Sequence, residues 1–219
     1  MGPSTLTSGV LGNLDLQSII QNLSSLVVPI TQLVLAISFI GGFVFIFKGV
    51  IMLHHLGSSQ SQASQPKGFT SPFIYITIGA VLMYMPATTT VFSVSMLGSN
   101  ISSLFPSNDV IDIESGGNTF SVNVTAQYDQ NASSELMQYV SLGIAQEWSS
   151  LINTIVLFIQ LIGLIAFVRG WFILASVGSP GGAQQGAFSK GLIHIIGGVI
   201  AINFVAFMQA IGTIVFSSG

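Results

Sequence analysis

The chain contains four long apolar stretches separated by more polar segments. They cover about residues 29–54, 72–97, 150–177 and 191–216. Each exceeds the roughly 20 residues with which a helix crosses a hydrocarbon core of about 30 Å. Pro29 suits an opening helical turn, and Ser71 followed by Pro72 is typical of a helix start. The pattern predicts an all-α membrane protein with four transmembrane helices.

The first and third stretches are related by an internal repeat. Residues 40–58 align with residues 161–179 without a gap, and Lys48 falls on Arg169. The identical positions pair Gly42, Gly49, Leu53, Gly57 and Ser58 with Gly163, Gly170, Leu174, Gly178 and Ser179. After a loop of different length, three further pairs are Lys67 with Lys190, Gly68 with Gly191 and Gly79 with Gly198. Two copies predict a duplicated helical hairpin rather than a solenoid. Because each copy contains two spans, both have the same orientation, and the repeat is parallel.

Glycines recur on one face of the first span of each copy. Gly42 and Gly49 are seven residues apart, as are Gly163 and Gly170, and seven residues make almost two helical turns. Small residues at such positions allow helices to approach closely in lipid, although membrane helices also tolerate glycines that make no contact. The predicted helix-packing residues are Gly42, Gly49, Gly163, Gly170, Gly197 and Gly198.

The apolar pattern divides the chain into four regions. Residues 1–28 form an amphipathic arm that lies on the bilayer or docks against another subunit. Residues 29–97 and 150–219 form the two transmembrane hairpins. Between them, residues 98–149 form a small segment in which 121–125 alternate like a strand and 134–148 have a helical pattern.

Composition supports membrane insertion. Of the 219 residues, 50% are hydrophobic and only 5% are charged, whereas soluble domains carry roughly a quarter charged residues. The net charge of −3 gives no basic surface, so we expect no direct binding of nucleic acid. The chain has no cysteine, which excludes disulfides and thiolate chemistry.

The charges are distributed unevenly along the chain and predict an orientation. All the basic residues belong to the hairpin ends: Lys48, Lys67, Arg169 and Lys190. All the acidic residues lie in the arm or the central segment: Asp15, Asp109, Asp112, Glu114, Asp129, Glu135 and Glu147. The positive-inside rule places both hairpin loops in the cytoplasm and both termini and the central segment in the periplasm. Lys48 and Arg169 then lie at the membrane boundary, where their side chains can reach lipid phosphates.

Residues that could perform chemistry are scarce. His54, His55 and His194 fall near the cytoplasmic boundary, but no cysteine or carboxylate lies there to complete a metal site. The spans hold no acidic residue, so a carboxylate proton relay is not expected. We predict no enzyme activity and no cofactor. Pro86, with the three threonines that follow it, is expected to bend the second span.

Six polar residues within the spans allow two interpretations. These residues are Gln32, Tyr84, Asn153, Gln160, Asn203 and Gln209. Hydrogen bonds to neighbouring helices are favoured, and each contributes roughly 0.5 to 2 kcal/mol. The alternative is the lining of a polar pore, for which Gln32, Gln160 and Asn203 would have to share one surface.

The second hairpin resembles a known family. Residues 168–182 (VRGWFILASVGSPGG) and 190–203 (KGLIHIIGGVIAIN) are similar to the hairpin of the IcmC/DotE family, inner-membrane components of Dot/Icm type IVB secretion systems, and of the similar TraQ proteins of conjugative plasmids. The matched residues number 29 of the 219 in the chain. The resemblance implies a non-catalytic subunit of a bacterial inner-membrane transport machine.

Three classes of function follow from these observations. The leading one is a structural or conduit subunit of a secretion or conjugation apparatus, with membrane lipids and other secretion-system membrane subunits as partners. The alternative is a self-sufficient oligomeric channel for ions or small solutes, which would be a homo-oligomer. A membrane enzyme is the third class, and it lacks a nucleophile, base or metal constellation in the sequence.

Overall fold

A computed structural model describes residues 16–58, 70–98, 146–179 and 186–216. Every regular element in these ranges is an α-helix. The helices are α1 (Leu16–Ser58), α2 (Thr70–Met83), α3 (Met85–Leu97), α4 (Gln146–Ser176), α5 (Ala187–Ile202) and α6 (Phe204–Phe216). Lys67, the predicted strand at 121–125 and residues 134–145 of the predicted helix lie outside the described residues.

Two helices are long and apolar enough to cross a membrane by themselves, α1 over residues 18–57 and α4 over residues 151–176. The pairs α2–α3 and α5–α6 meet the same criteria only when each bent pair is taken together. The described part of the chain therefore has between two and four candidate spans. These apolar helices indicate a protein that inserts into a membrane.

The first helix is longer than the sequence predicts. It begins at Leu16 and continues through Pro29 without interruption, so part of the predicted arm belongs to the same helix as the first span. Proline removes a helical N–H and crowds the carbonyl four residues earlier, but other groups can compensate in membrane helices.

The predicted second and fourth spans are not continuous helices. The chain bends by 93° between α2 and α3 and by 84° between α5 and α6. A single residue with non-helical dihedrals separates the helices at each bend, Tyr84 (φ −98°, ψ 38°) in one case and Asn203 (φ −105°, ψ 37°) in the other. The sequence predicted a bend near Pro86, but it gave no indication of a break at Asn203.

The helices pack mainly as neighbouring pairs, α1 with α2 and α4 with α5. Contacts of α4 with both α1 and α2 join the two pairs. The shared core is apolar and aromatic, and its most deeply buried members include Leu35, Tyr75, Leu82, Met85, Leu164, Phe167 and Ile202. This packing brings residues from both copies of the repeat into contact.

Candidate functional site: glycine contacts and buried polar groups

Glycines lie at the closest contacts between α1 and α2. A Cβ atom added at Gly42 would lie 2.6 Å from the Gly79 carbonyl oxygen, and one added at Gly79 would lie 2.6 Å from the Gly42 carbonyl oxygen. A Cβ at Gly49 would approach the Pro72 carbonyl oxygen to 3.0 Å. The two backbones therefore touch directly, and no larger residue fits without moving a helix.

The same arrangement recurs between α4 and α5. A Cβ at Gly198 would lie 2.8 Å from the Gly163 carbonyl oxygen, and one at Gly170 would lie 2.9 Å from the Gly191 carbonyl oxygen. Gly197 differs from these residues because it is exposed and an added Cβ would meet no atom within 4 Å. It takes no part in the contact between α4 and α5.

The two helix breaks occupy equivalent places in the repeat. Tyr84 follows Gly79 by five residues, and Asn203 follows Gly198 by five. Helical bonding resumes in the same way after each break, from Thr88 N to the Tyr84 carbonyl and from Phe207 N to the Asn203 carbonyl, both at 2.9 Å. The break is thus a feature of both copies, although only the first copy has a proline beside it.

Hydroxyl groups donate hydrogen bonds to the backbone carbonyls around the first break. Pro86 has no N–H to offer the Leu82 carbonyl, which instead accepts a hydrogen bond of 3.0 Å from the Ser38 hydroxyl of α1. The Thr88 hydroxyl donates to the Val81 carbonyl at 3.2 Å. A proline followed by threonines predicts hydroxyl donors of this kind, whereas no pattern in the sequence predicts the contact of Ser38. Two more hydroxyls donate to the Pro86 carbonyl, those of Thr89 and Thr90.

A buried side chain at the second break connects the two copies. Asn203 is 4% exposed. Its amide nitrogen donates to the Val199 carbonyl at 2.9 Å and to the Ser93 hydroxyl of α3 at 2.7 Å. The helix that follows the first break is therefore held against the second break.

A second polar cluster lies where the C-terminal part of α1, the start of α2 and the residues after α4 meet. The Lys48 ammonium donates to the Tyr75 hydroxyl at 3.1 Å and lies 4.5 Å from the centre of the Tyr75 ring. The Tyr75 and Ser179 hydroxyls are hydrogen-bonded at 2.7 Å, and the Ser71 hydroxyl donates to the Gly178 carbonyl. These contacts join α1, α2 and the end of α4.

The predicted boundary charges have different surroundings. Lys48, Arg169 and Lys190 are exposed, and Lys67 lies outside the described residues. Tyr75 lies four residues before Gly79, and His194 lies four residues before the matching Gly198. The Nδ1 atom of His194 lies 2.8 Å from the Lys190 carbonyl oxygen. Within the described ranges, the contact between Lys48 and Tyr75 has no counterpart at Arg169.

The polar residues proposed for a pore do not share one surface within a single chain. Gln32 is exposed, whereas Gln160 and Asn203 are 5% and 4% exposed. The Gln160 Oε1 atom is buried without a hydrogen-bond partner among the described residues. Tyr84 is 68% exposed, and Asn153 and Gln209 are partly buried.

The histidines do not assemble with other ligands in the part of the chain that the structure describes. His54 and His55 have ring centres 6.1 Å apart. Among the described residues, no group of three or more His, Cys, Asp or Glu side chains could hold a metal ion.

Comparison of the chain with family models, with curated proteins and with solved structures gives no match. The resemblance to the IcmC/DotE family therefore depends on residues 168–182 and 190–203 alone.

Proposed function

We propose that this protein is a non-catalytic inner-membrane subunit of a bacterial transfer apparatus of the type IVB secretion or conjugation class. Its role in this proposal is to supply helix-packing surfaces to a larger translocation complex. The resemblance of the second hairpin suggests the kind of machine. The structural support comes from the surfaces that the helices leave uncovered.

The observation that carries the proposal is the exposed apolar surface of α1. Only 22% of its most apolar 18-residue window is buried, compared with 44% for the corresponding window of α4. Leu33, Ile37 and Ile40 are 59%, 53% and 62% exposed. A helix that contacts its own chain along one narrow side has most of its surface available to lipids and to helices of other subunits.

Gly197 offers a second uncovered surface, on α5. It is exposed beside Ile193 and Ile196, which are 65% and 39% exposed. Because nothing in the chain lies within 4 Å of an added Cβ, a helix of another subunit could approach this backbone closely. Small residues are enriched at such contacts in membranes.

The experiment measures partner association and transfer in the bacterium that encodes the protein. In the Gly197→Leu variant we expect correct insertion, loss of co-purifying membrane subunits in mild detergent, and loss of protein or DNA transfer. Gly57→Leu is the matched control because Gly57 is also exposed and unobstructed, and it should retain both properties.

Two results would contradict this function. One is a deletion strain in which secretion and conjugation continue at the normal rate. The other is ion conduction by the purified protein alone in liposomes, which would favour the self-sufficient channel.

A further inference from the structure

The exposed side of α1 carries an apolar groove that Lys48 lines with its aliphatic stem. The groove is open on one side, has a volume of about 420 Å³ and is lined by side chains of α1 alone: Phe43, Val44, Phe47, Lys48, Ile51 and Met52. The Phe43 and Phe47 rings lie 4.6 Å apart. Among the lining residues Lys48 carries a charge, and its ammonium lies beside the groove, toward Tyr75 of α2.

The Lys48 ammonium is held in position by α2. It donates to the Tyr75 hydroxyl at 3.1 Å, and Tyr75 is only 2% exposed and also bonded to Ser179 at 2.7 Å. An ammonium has three N–H donors, so this contact leaves donors for a ligand. The Tyr75 side chain therefore fixes the place of the charge without neutralising it.

No carboxylate in the described ranges balances this charge. The single acidic residue there is Glu147, which lies at the start of α4, whereas Ser179 of the Lys48 cluster follows the end of α4. An uncompensated cation beside an apolar surface is most stable with an anion nearby. The groove and the neighbouring ammonium together suit a ligand that is anionic at one end and apolar over the rest of its length.

We propose that this groove binds one anionic glycerophospholipid of the leaflet next to the hairpin loops. The phosphate contacts the Lys48 ammonium, and an acyl chain lies along Phe43, Val44 and Phe47, on the side of Lys48 toward the middle of the apolar span. An inorganic phosphate ion would leave the apolar walls uncovered. A neutral helix of another subunit would leave the ammonium without an anion.

The repeat provides a matched control for the charge. Arg169 occupies the position equivalent to Lys48 and is also exposed, but among the described residues it has no contact like that between Lys48 and Tyr75. A general attraction of basic residues to an anionic leaflet would act equally on both positions. Lipid binding at a specific site on α1 would depend on Lys48 and not on Arg169.

Native mass spectrometry of the purified full-length protein tests this site, with phosphatidylglycerol and phosphatidylcholine added in equal amounts. We expect one phosphatidylglycerol retained per chain. Lys48→Gln should weaken this retention about fivefold, the effect of losing one basic contact to an anionic headgroup, while Arg169→Gln should retain it. Circular dichroism establishes that both variants are folded.

A second pair of variants tests the groove itself. Val44→Trp fills the groove and should reduce retention of phosphatidylglycerol, whereas Ile37→Trp, at an exposed position of α1 outside the lining, should leave it unchanged. Equal losses in Lys48→Gln and Arg169→Gln, or equal retention of phosphatidylcholine, would overturn the proposal. So would a photoreactive residue at Phe47 that cross-links in membranes to a protein rather than to lipid.

Discussion

At the residue scale, the closest helix contacts occur where side chains are smallest. The Gly42 and Gly79 backbones meet in the first pair of helices, and the Gly163 and Gly198 backbones meet in the second. In lipid, association between helices depends on close packing and hydrogen bonds, because lipid tails solvate apolar side chains as well as a neighbouring helix does. The absent side chains are therefore what permits the extensive contact of α1 with α2 and of α4 with α5.

Adjacent glycines in α5 provide a direct test of this role. A Cβ at Gly198 would lie 2.7 Å from the Phe167 nitrogen, whereas one at Gly197 would meet nothing within 4 Å. We expect Gly198→Leu to destabilise the protein by about 1–3 kcal/mol or more, as overpacking does, and Gly197→Leu to leave its stability near that of the wild type. Thermal unfolding in detergent measures both. Equal melting temperatures would show that the helices separate without cost.

At the scale of elements, hydropathy located the apolar stretches but did not reveal their geometry. Residues 191–216 contain neither a proline nor an Asp, Glu, Lys or Arg that would mark a break at Asn203. Average hydropathy does not detect a change in the dihedral angles of one residue. Contacts such as Lys48 with Tyr75 and Ser93 with Asn203 join residues 27 and 110 positions apart. They arise only when the helices are packed, and no local pattern predicts them. Helical periodicity places Gly42 with Gly49, and Gly163 with Gly170, on one helix face, but it does not separate the buried Gly198 from the exposed Gly197.

The two breaks predict a distance that spectroscopy can measure. Because the chain has no cysteine, spin labels can be placed at two pairs of exposed positions, Phe73 with Val94 and Ile193 with Ile214. Each pair would be about 32 Å apart along a straight helix at 1.5 Å per residue, but about 22 to 23 Å apart across bends near 90°. Pulsed electron resonance should give the shorter separation for both pairs. Separations near the longer value would mean that each pair of helices is one continuous span.

At the scale of the whole molecule, α4 is central and α1 is peripheral. The α4 helix contacts α1, α2, α5 and α6, whereas most of the apolar surface of α1 is uncovered. Phe45 of α1 packs on Phe172 of α4 with ring centres 5.4 Å apart, and Lys48 of α1 and Ser179, which follows α4, meet at the Tyr75 hydroxyl. The parallel orientation of the two copies stays a prediction from the sequence.

The charges predict an orientation of the molecule in the membrane, and single cysteines can test this prediction. The basic residues Lys48, Arg169 and Lys190 lie toward the hairpin loops, so the positive-inside rule predicts that these loops are cytoplasmic. Cysteines that replace Ser64 and Gln184 should be shielded from an impermeant thiol reagent in intact cells.

Cysteines that replace Ser115 and Ser218 should react with the same reagent, because the central segment and the C terminus then face the periplasm. Permeabilised cells provide the control, since all of these cysteines should become labelled there. Labelling at position 64 from outside intact cells would show that the protein has the opposite orientation. In that orientation, the groove on α1 and the Lys48 ammonium beside it would lie in the opposite leaflet.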